Sequence, residues 1–185
     1  MKRWGWMCVW AIGLSLCGSV AHTADTANAP AWEVQGDWLV NTQSRCQLQK
    51  PAADGWLFEQ DAAGAWRIVH RTPTSTVMVM CMVSQEKRRL QELAQTIVAD
   101  AYQQSTDHFL PSAQATQRST TVLKSRAIQI NIAGPHTGGA WRTDRYLLFK
   151  RSTAVVTLHA ASSPEGAYDA DRAAIDAIFS SLTWF

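Results

Sequence analysis

The most regular hydrophobic pattern of the chain is the seven-residue apolar run Val77–Val83. In a β-strand, successive side chains point to opposite faces. One face of this strand would carry three valines and a cysteine, and the other would carry Met78, Met80 and Met82. A strand that is apolar on both faces sits inside a sheet that is covered on both sides. The pattern therefore predicts a central strand, with the methionines packed into the core.

An amphipathic helix is predicted after this strand and extends to about Tyr102. Its apolar residues recur at spacings of three, four and one, as the core-facing side of a helix requires. They are Leu90, Leu93, Ile97, Val98 and Ala101. Ser84 is the predicted cap at the start of this helix. The strand is therefore expected to lead straight into a helix that packs on the sheet.

Shorter segments with alternating or β-branched residues predict the other strands. Before the central strand they lie within 32–40, 45–49, 56–60 and 66–70. After the helix they lie at Val122–Ala133, Trp141–Lys150 and Ala154–Ala160. The short connections between the last three indicate an antiparallel meander. A final helix follows, with Ile175, Ile178 and Phe179 on its apolar side.

The order of these elements is strands, helix, strands and helix. Such segregation predicts an α+β fold in which helices pack on an antiparallel β-sheet. Because the central strand is apolar on both faces, we expect helices on both sides of the sheet, as in an α/β/α sandwich. We expect one domain over residues 32–185.

The N-terminus has the pattern of a secretory signal peptide over residues 1–21, in which a short basic stretch precedes an apolar run. We expect cleavage near Ala21 or Ala24, which leaves a flexible leader over residues 22–31 and a periplasmic or secreted protein. One alternative is an uncleaved membrane anchor. Another is a lipoprotein acylated at Cys17, and for a processed chain this lipidation is the only case in which membrane contact is expected.

The charge of the mature chain argues against nucleic acid as a partner. The full chain has 17 Lys and Arg against 15 Asp and Glu. The predicted signal peptide contains Lys2 and Arg3, so its removal leaves a net charge near zero. Neither sign of charge forms a long run, whereas a nucleic-acid-binding domain carries a basic patch or stripe.

Two cysteines, Cys46 and Cys81, remain after removal of the predicted signal peptide. An even pair in an exported chain is most simply a disulfide, because the compartment is oxidising. On the chain-entropy model, such a bridge stabilises the fold by roughly 3–4 kcal/mol. The alternative is a pair of separate buried thiols.

Several landmarks of the mature chain suggest a known family. Pro51 is followed by Trp56 at a strand start, the Val77–Val83 strand leads into an amphipathic helix, and the closing helix ends in Ile-Phe-Ser-Ser-Leu at 178–182. Over 48–185 this order resembles the Mog1/PsbP-like fold family, which includes the DcrB-like exported bacterial proteins. Members of that family are mostly non-enzymatic binding and accessory proteins without a shared catalytic motif. The resemblance therefore implies a fold and a binding role, but no site residues.

No catalytic, cofactor or metal residue is assigned from the sequence. Thioethers can hold Cu(I), so the three methionines are a candidate metal site, although packing is the preferred interpretation. The histidines at 70, 108, 136 and 159 lack the close spacing of a metal site, and a zinc site would have to assemble from distant parts. There is no Gly-x-Ser-x-Gly elbow, and the loop Gly134–Gly139 lacks the Lys-Ser/Thr of a phosphate-binding loop.

A candidate partner surface lies on and after the Trp141 strand. It consists of Trp141, Arg142, Arg145 and Lys150. Such a patch suits an acidic partner or membrane headgroups. The alternative interpretation is an ordinary solvated strand face.

Together these observations predict an exported, non-enzymatic binding or accessory protein of the cell envelope. It would act by protein–protein contact, as a chaperone, an assembly factor or an inhibitor. The alternative is a periplasmic metal-binding protein or small enzyme whose site is not recognisable from sequence.

Overall fold

Eleven strands and two helices form the described part of this computed structural model, which comprises residues 32–61, 64–73, 75–85, 87–103 and 108–185. The strands are β1 (Trp32–Gln35), β2 (Trp38–Asn41), β3 (Cys46–Gln49), β4 (Trp56–Gln60), β5 (Trp66–Arg71), β6 (Thr76–Gln85), β7 (Gln114–Val122), β8 (Ser125–Pro135), β9 (Trp141–Arg151), β10 (Ala154–Ser163) and β11 (Thr183–Trp184). The helices are α1 (Leu90–Gln103) and α2 (Ala167–Ser180). The predicted signal peptide, the leader and Cys17 lie outside the described residues.

Seven strands form one antiparallel sheet in the order β4-β5-β6-β10-β9-β8-β7. The predicted central run lies in β6, which is hydrogen-bonded to β5 on one side and to β10 on the other. Four short strands form a second sheet in the order β1-β2-β3-β11. The predicted α+β architecture, an antiparallel sheet with helices packed on it, is confirmed.

One face of the large sheet, the α2 face, is closely covered. Val77, Val79 and Cys81 of β6 belong to a buried cluster with Ile175, Ile178 and Phe179 of α2, together with Leu39 and Leu48 of the small sheet. The closing segment contributes Leu182, which is also buried there. A helix and a second sheet thus cover this face together, and burial of its apolar side chains contributes roughly 1.5–3 kcal/mol each.

The opposite face, the α1 face, is covered only in part by the residues that the structure describes. Its buried cluster joins Leu93 and Ala94 of α1 to β8, β9 and one end of β10. The β-sheet residues of this cluster include Ile128, Ile130, Ile132, Tyr146, Leu148 and Val155. The helix packs mainly on β8 and β9, so β6, two strands further along the sheet, is not under it.

The prediction that the three methionines are core residues is therefore wrong. None of them belongs to either buried cluster; Met78 and Met80 are half-buried, and Met82 is 44% exposed. The reason is geometric. Seven strands spaced about 4.8 Å apart make a sheet roughly 29 Å wide. A helix is only about 10 Å across, so one helix covers about two strands.

The helix also begins later than predicted. Ser84 and Gln85 continue β6, where they pair with Val155 and Ala154 of β10, and α1 starts at Leu90. The Glu92 carboxylate accepts a hydrogen bond of 3.1 Å from the Arg89 backbone N–H. This is the reciprocal half of a capping box, which helps to fix the start of the helix. Ser84 is therefore not the cap, because cross-strand pairing holds it in the sheet.

Two strands were missed by the hydrophobic pattern. Strand β7 is almost entirely polar and exposed, because it forms an edge of the large sheet. Leu123 and Lys124 turn the chain between β7 and β8 with φ values of 48° and 64°. This left-handed pair is typical of a two-residue hairpin turn, and it divides the strand predicted at 122–133. The other missed strand, β11, is only two residues long.

The two cysteines lie in the same buried cluster of the α2 face. Both are free thiols in this structure rather than the predicted disulfide. Burial raises the pKa of Cys81, and the nearby Cys46 raises it further, so the two side chains are close enough to interact. Burial also raises the pKa of Cys46 to about 11. The disulfide stays a prediction.

We expect Cys46 and Cys81 to be bridged in protein recovered from an exported fraction, because export exposes them to an oxidising compartment. The measurement is intact mass after alkylation in denaturant, with and without prior reduction. A bridged protein takes up no alkylating reagent until it is reduced. Full alkylation of both thiols before reduction would show that they are separate buried thiols.

Candidate functional site

A cluster of hydrogen-bonded polar side chains is buried within the α1 face. Asp144 of β9 is only 2% exposed. Arg142 donates to its two carboxylate oxygens, from Nε to Oδ1 at 2.6 Å and from a terminal nitrogen to Oδ2 at 2.9 Å. The Tyr146 hydroxyl donates to Oδ2 at 3.2 Å, and His159 Nε2 lies 3.2 Å from the same oxygen. Three neighbours on two adjacent strands thus converge on one carboxylate.

Electrostatics keep Asp144 ionised in this cluster. Burial by itself would raise the pKa of the carboxyl, but Arg142 and His159 outweigh burial and lower it to about 2. An ionised carboxylate only accepts hydrogen bonds, so His159 must donate from Nε2. In the neutral form of His159, the ring proton therefore lies on Nε2 and the lone pair on Nδ1.

The His159 ring is held in place from one side. It stacks on Tyr146 with the ring centroids 4.1 Å apart and the planes 5° from parallel. Tyr146 and His159 are cross-strand partners on β9 and β10, and His159 is in turn the cross-strand partner of Met80 on β6. The polar cluster therefore lies between the helix-covered half of the α1 face and the half that carries the methionines.

The open half of the α1 face presents a row of thioethers, which we term the methionine face: Met78, Met80 and Met82. Leu57 of β4 continues the apolar surface on the same side and is 48% exposed. Strand β5 lies between β4 and β6, and its Val69 is the cross-strand partner of both Leu57 and Met78. The Val69 side chain is buried. Met82 and Leu57 are thus exposed apolar side chains of one sheet surface, with the buried Val69 between their strands.

A second candidate site is a basic cleft at the start of α1. Arg89, Arg126 and Lys150 surround a cavity of about 340 Å³. Leu90, Gln91 and Ile128 complete its walls. The three cations come from the start of α1, from β8 and from β9, and none of them forms an ion pair with a carboxylate among the described residues.

The structure does not bring the four predicted partner residues together. Arg142 is bound to Asp144 on the α1 face. Arg145 lies on the other face, where it contacts Asp176 and Tyr168 of α2 and the ring of Phe179. Lys150 lines the basic cleft, and Trp141 is half-buried at the start of β9. Arg142 and Lys150 do share a face, as their even spacing predicts.

Sequence reasoning missed Asp144 and the two arginines of the basic cleft. A signal for Asp144 was available, since it is the only carboxylate at an even position of a strand whose Tyr146 and Leu148 point into the core. The cleft had no such signal. Arg89 and Arg126 are far apart in the chain, and only the packing of α1 on β8 joins them.

Comparison with known proteins identifies the fold. LpqN of Mycobacterium tuberculosis, which is involved in cell envelope biogenesis, matches with a TM-score of 0.54 at 16% identity, over 83% of this chain and 88% of that chain. The PsbP protein of the cyanobacterium Synechocystis matches with a TM-score of 0.54 at 13% identity, over 93% of this chain and 99% of that one. The yeast Ran-binding protein Mog1p matches with a TM-score of 0.51 at 7% identity, over 82% of this chain and 96% of that one. The chain therefore has a Mog1/PsbP-like fold, as the resemblance predicted.

Sequence comparison adds nothing to this structural likeness. No protein-family model matches the chain, and no curated protein matches it. Within the described ranges, no helix is long and apolar enough to cross a membrane. The same residues contain no group of three or more His, Cys, Asp or Glu arranged to hold a metal ion.

We expect Asp144→Asn to lower the free energy of unfolding at pH 7 by roughly 3 kcal/mol, because Arg142 loses its counter-charge in a buried site. The carboxyl has a native pKa of about 2 against an ordinary 3.8. A carboxyl whose pKa is lowered by folding stabilises the native state. This stabilisation is complete when the pH is above the ordinary pKa, and it is lost as the pH falls through the native pKa. Between about pH 4 and pH 2, the free energy of unfolding of the wild type should therefore fall by about 2 kcal/mol more than that of the variant.

Urea unfolding at a series of pH values measures this difference. Asp54→Asn, at an exposed carboxyl in the turn before β4, is the matched control and should follow the wild-type pH dependence. Parallel curves for wild type and Asp144→Asn would contradict the role assigned to this carboxylate.

Proposed function

We propose that this protein is an exported accessory protein of the cell envelope that acts by binding a protein partner rather than by catalysis. The fold supports the proposal, since LpqN is involved in cell envelope biogenesis and Mog1p is a Ran-binding protein. The signal-peptide pattern at residues 1–21 supports a periplasmic or secreted location. Chaperone, assembly and inhibitor roles all fit such a protein.

The basic cleft is the observation that carries this proposal. Three like charges around one cleft repel one another, and an anionic group placed among them relieves that repulsion. The apolar walls formed by Leu90 and Ile128 add contact area for a side chain that accompanies the charge. The cleft therefore suits an acidic segment of a partner protein.

This interpretation revises the predicted partner surface. Of the four residues, Lys150 contributes directly to the cleft. Arg142 and Arg145 each have an acidic partner within the protein, Asp144 and Asp176, and we assign them to internal contacts. Trp141 stays a candidate contact at the far end of the same strand.

Photo-crosslinking tests the cleft in the exporting cell. A photoreactive residue at Gln91, an exposed position of the cleft wall, should give a discrete protein adduct. Arg126→Gln with Lys150→Gln should weaken that adduct, and should lower the affinity for the partner about tenfold once it is identified, because each lost charge at a partly exposed contact costs up to about 1 kcal/mol.

Two controls make the result specific. A photoreactive residue at Ala173, exposed on α2 at the opposite face, should give no such adduct. Arg172→Gln, a change of one cation on the same helix, should leave the Gln91 adduct unchanged. Equal labelling from both photoreactive positions, or an adduct that is indifferent to the loss of Arg126 and Lys150, would contradict the proposal.

A further inference from the structure

The methionine face has an arrangement that simple packing does not explain. β-Branched and aromatic residues are the ones enriched in strands, yet this side of β6 carries three unbranched thioethers in a row. Alternate residues of a strand are about 6.6 Å apart. A methionine side chain has three rotatable bonds and is not fixed by core packing at this surface, so adjacent sulfurs can reach a common point above the strand.

His159 lies directly beside this row. It is the cross-strand partner of Met80, so their Cβ atoms are about 5 Å apart. Met78 and Met82 are its diagonal neighbours on the same face, roughly 7–8 Å away at the backbone. One imidazole is thus flanked by three thioethers on a single sheet surface.

The surroundings of His159 resemble those of a metal-binding histidine. Asp144 accepts a hydrogen bond from Nε2, so in the neutral imidazole the lone pair is on Nδ1. Metal-binding histidines typically donate their other ring N–H to a carboxylate in this way, which fixes both tautomer and ring orientation. The Tyr146 stack fixes the ring plane from the side of the sheet away from β6.

The chemistry of these donors selects a class of ion. Thioether sulfur is soft, and soft ligands favour Cu(I) over hard cations that prefer oxygen. The cross-strand partners of Met78, Met80 and Met82 on β10 are Ala161, His159 and Thr157, so β10 places no carboxylate directly opposite them. We propose that Met78, Met80 and Met82, with His159, form a binding site for Cu(I) on the open half of the sheet.

This site is distinct from the basic cleft and does not depend on the proposed partner. The cleft uses the start of α1 with β8 and β9, whereas the metal site uses β6 and β10. The methionine face, which the sequence pattern assigns to the core, is instead a ligand set.

Competition titration tests the proposal with the purified mature protein. Cu(I), kept reduced in anaerobic buffer, is partitioned between the protein and the chromophoric chelator bicinchoninate. We expect one tightly bound equivalent for each chain. Met80→Leu conserves side-chain volume and removes one sulfur, and the triple leucine variant removes all three. Loss of an outer-shell partner weakens metal binding by up to about 100-fold, and loss of a direct ligand should cost at least as much. Met80→Leu should therefore weaken Cu(I) binding by at least about 100-fold, and the triple variant should not bind Cu(I).

A direct readout places the ion. Ag(I), a redox-inert substitute for Cu(I), should shift the methyl resonances of Met78, Met80 and Met82 in protein with labelled methionine methyl groups. Leu57→Ala, which changes an exposed side chain of the same surface without altering a donor, should leave affinity and shifts unchanged.

Two outcomes would overturn the site. One is the absence of a tightly bound equivalent in the wild-type protein. The other is unchanged affinity in the triple leucine variant, which would assign the ion to other donors such as the thiols of Cys46 and Cys81. Retained folding of the leucine variants, checked by circular dichroism, makes either outcome decisive.

Discussion

The structure depends on how the two apolar faces of a wide antiparallel sheet are covered. The two faces are covered to different extents, because different elements pack on them. On the α2 face, α2 and the small sheet together bury β6, β9 and β10. On the α1 face, the one helix among the described residues has 14 residues and covers mainly β8 and β9. Its length is about 21 Å and its width about 10 Å, which is much less than the sheet offers. The order of the strands therefore decides which apolar residues are buried and which stay accessible.

Both candidate sites lie at the margins of that one helix. The basic cleft is formed where the start of α1 meets β8 and β9, and the methionine face begins where its cover ends. Asp144 and His159 lie between the two, on the strands that separate the covered half from the open half. The hydrogen bonds of this cluster satisfy buried polar groups and fix the orientation of their side chains. The α2 face holds the larger of the two buried clusters, and both candidate sites lie on the α1 face.

The sequence predicted most of the fold because the elements that make it carry strong periodic patterns. Strand β6, strands β9 and β10, and the apolar sides of both helices follow directly from the spacing of Val, Ile, Leu and Phe. Strand β7 lacked that signal, because an exposed edge strand has no core face to mark. The methionines were misassigned for a related reason. The alternation of side-chain directions along β6 shows that both of its faces are apolar. It does not show which strands α1 packs on. Arg89, Arg126 and Lys150 likewise meet only through tertiary packing, which a linear pattern cannot show.

The most direct test of the partly covered sheet is the accessibility of the three methionines in the folded protein. Brief exposure to hydrogen peroxide, followed by peptide mass spectrometry, reports the oxidation rate of each one. If the α1 face is open over β6, Met82 should oxidise in the native state at a rate within about tenfold of that in denaturant, and Met78 and Met80 more slowly but measurably. Oxidation of all three only when the protein unfolds would mean that the face is sealed over β6, and would contradict the unequal covering of the two faces.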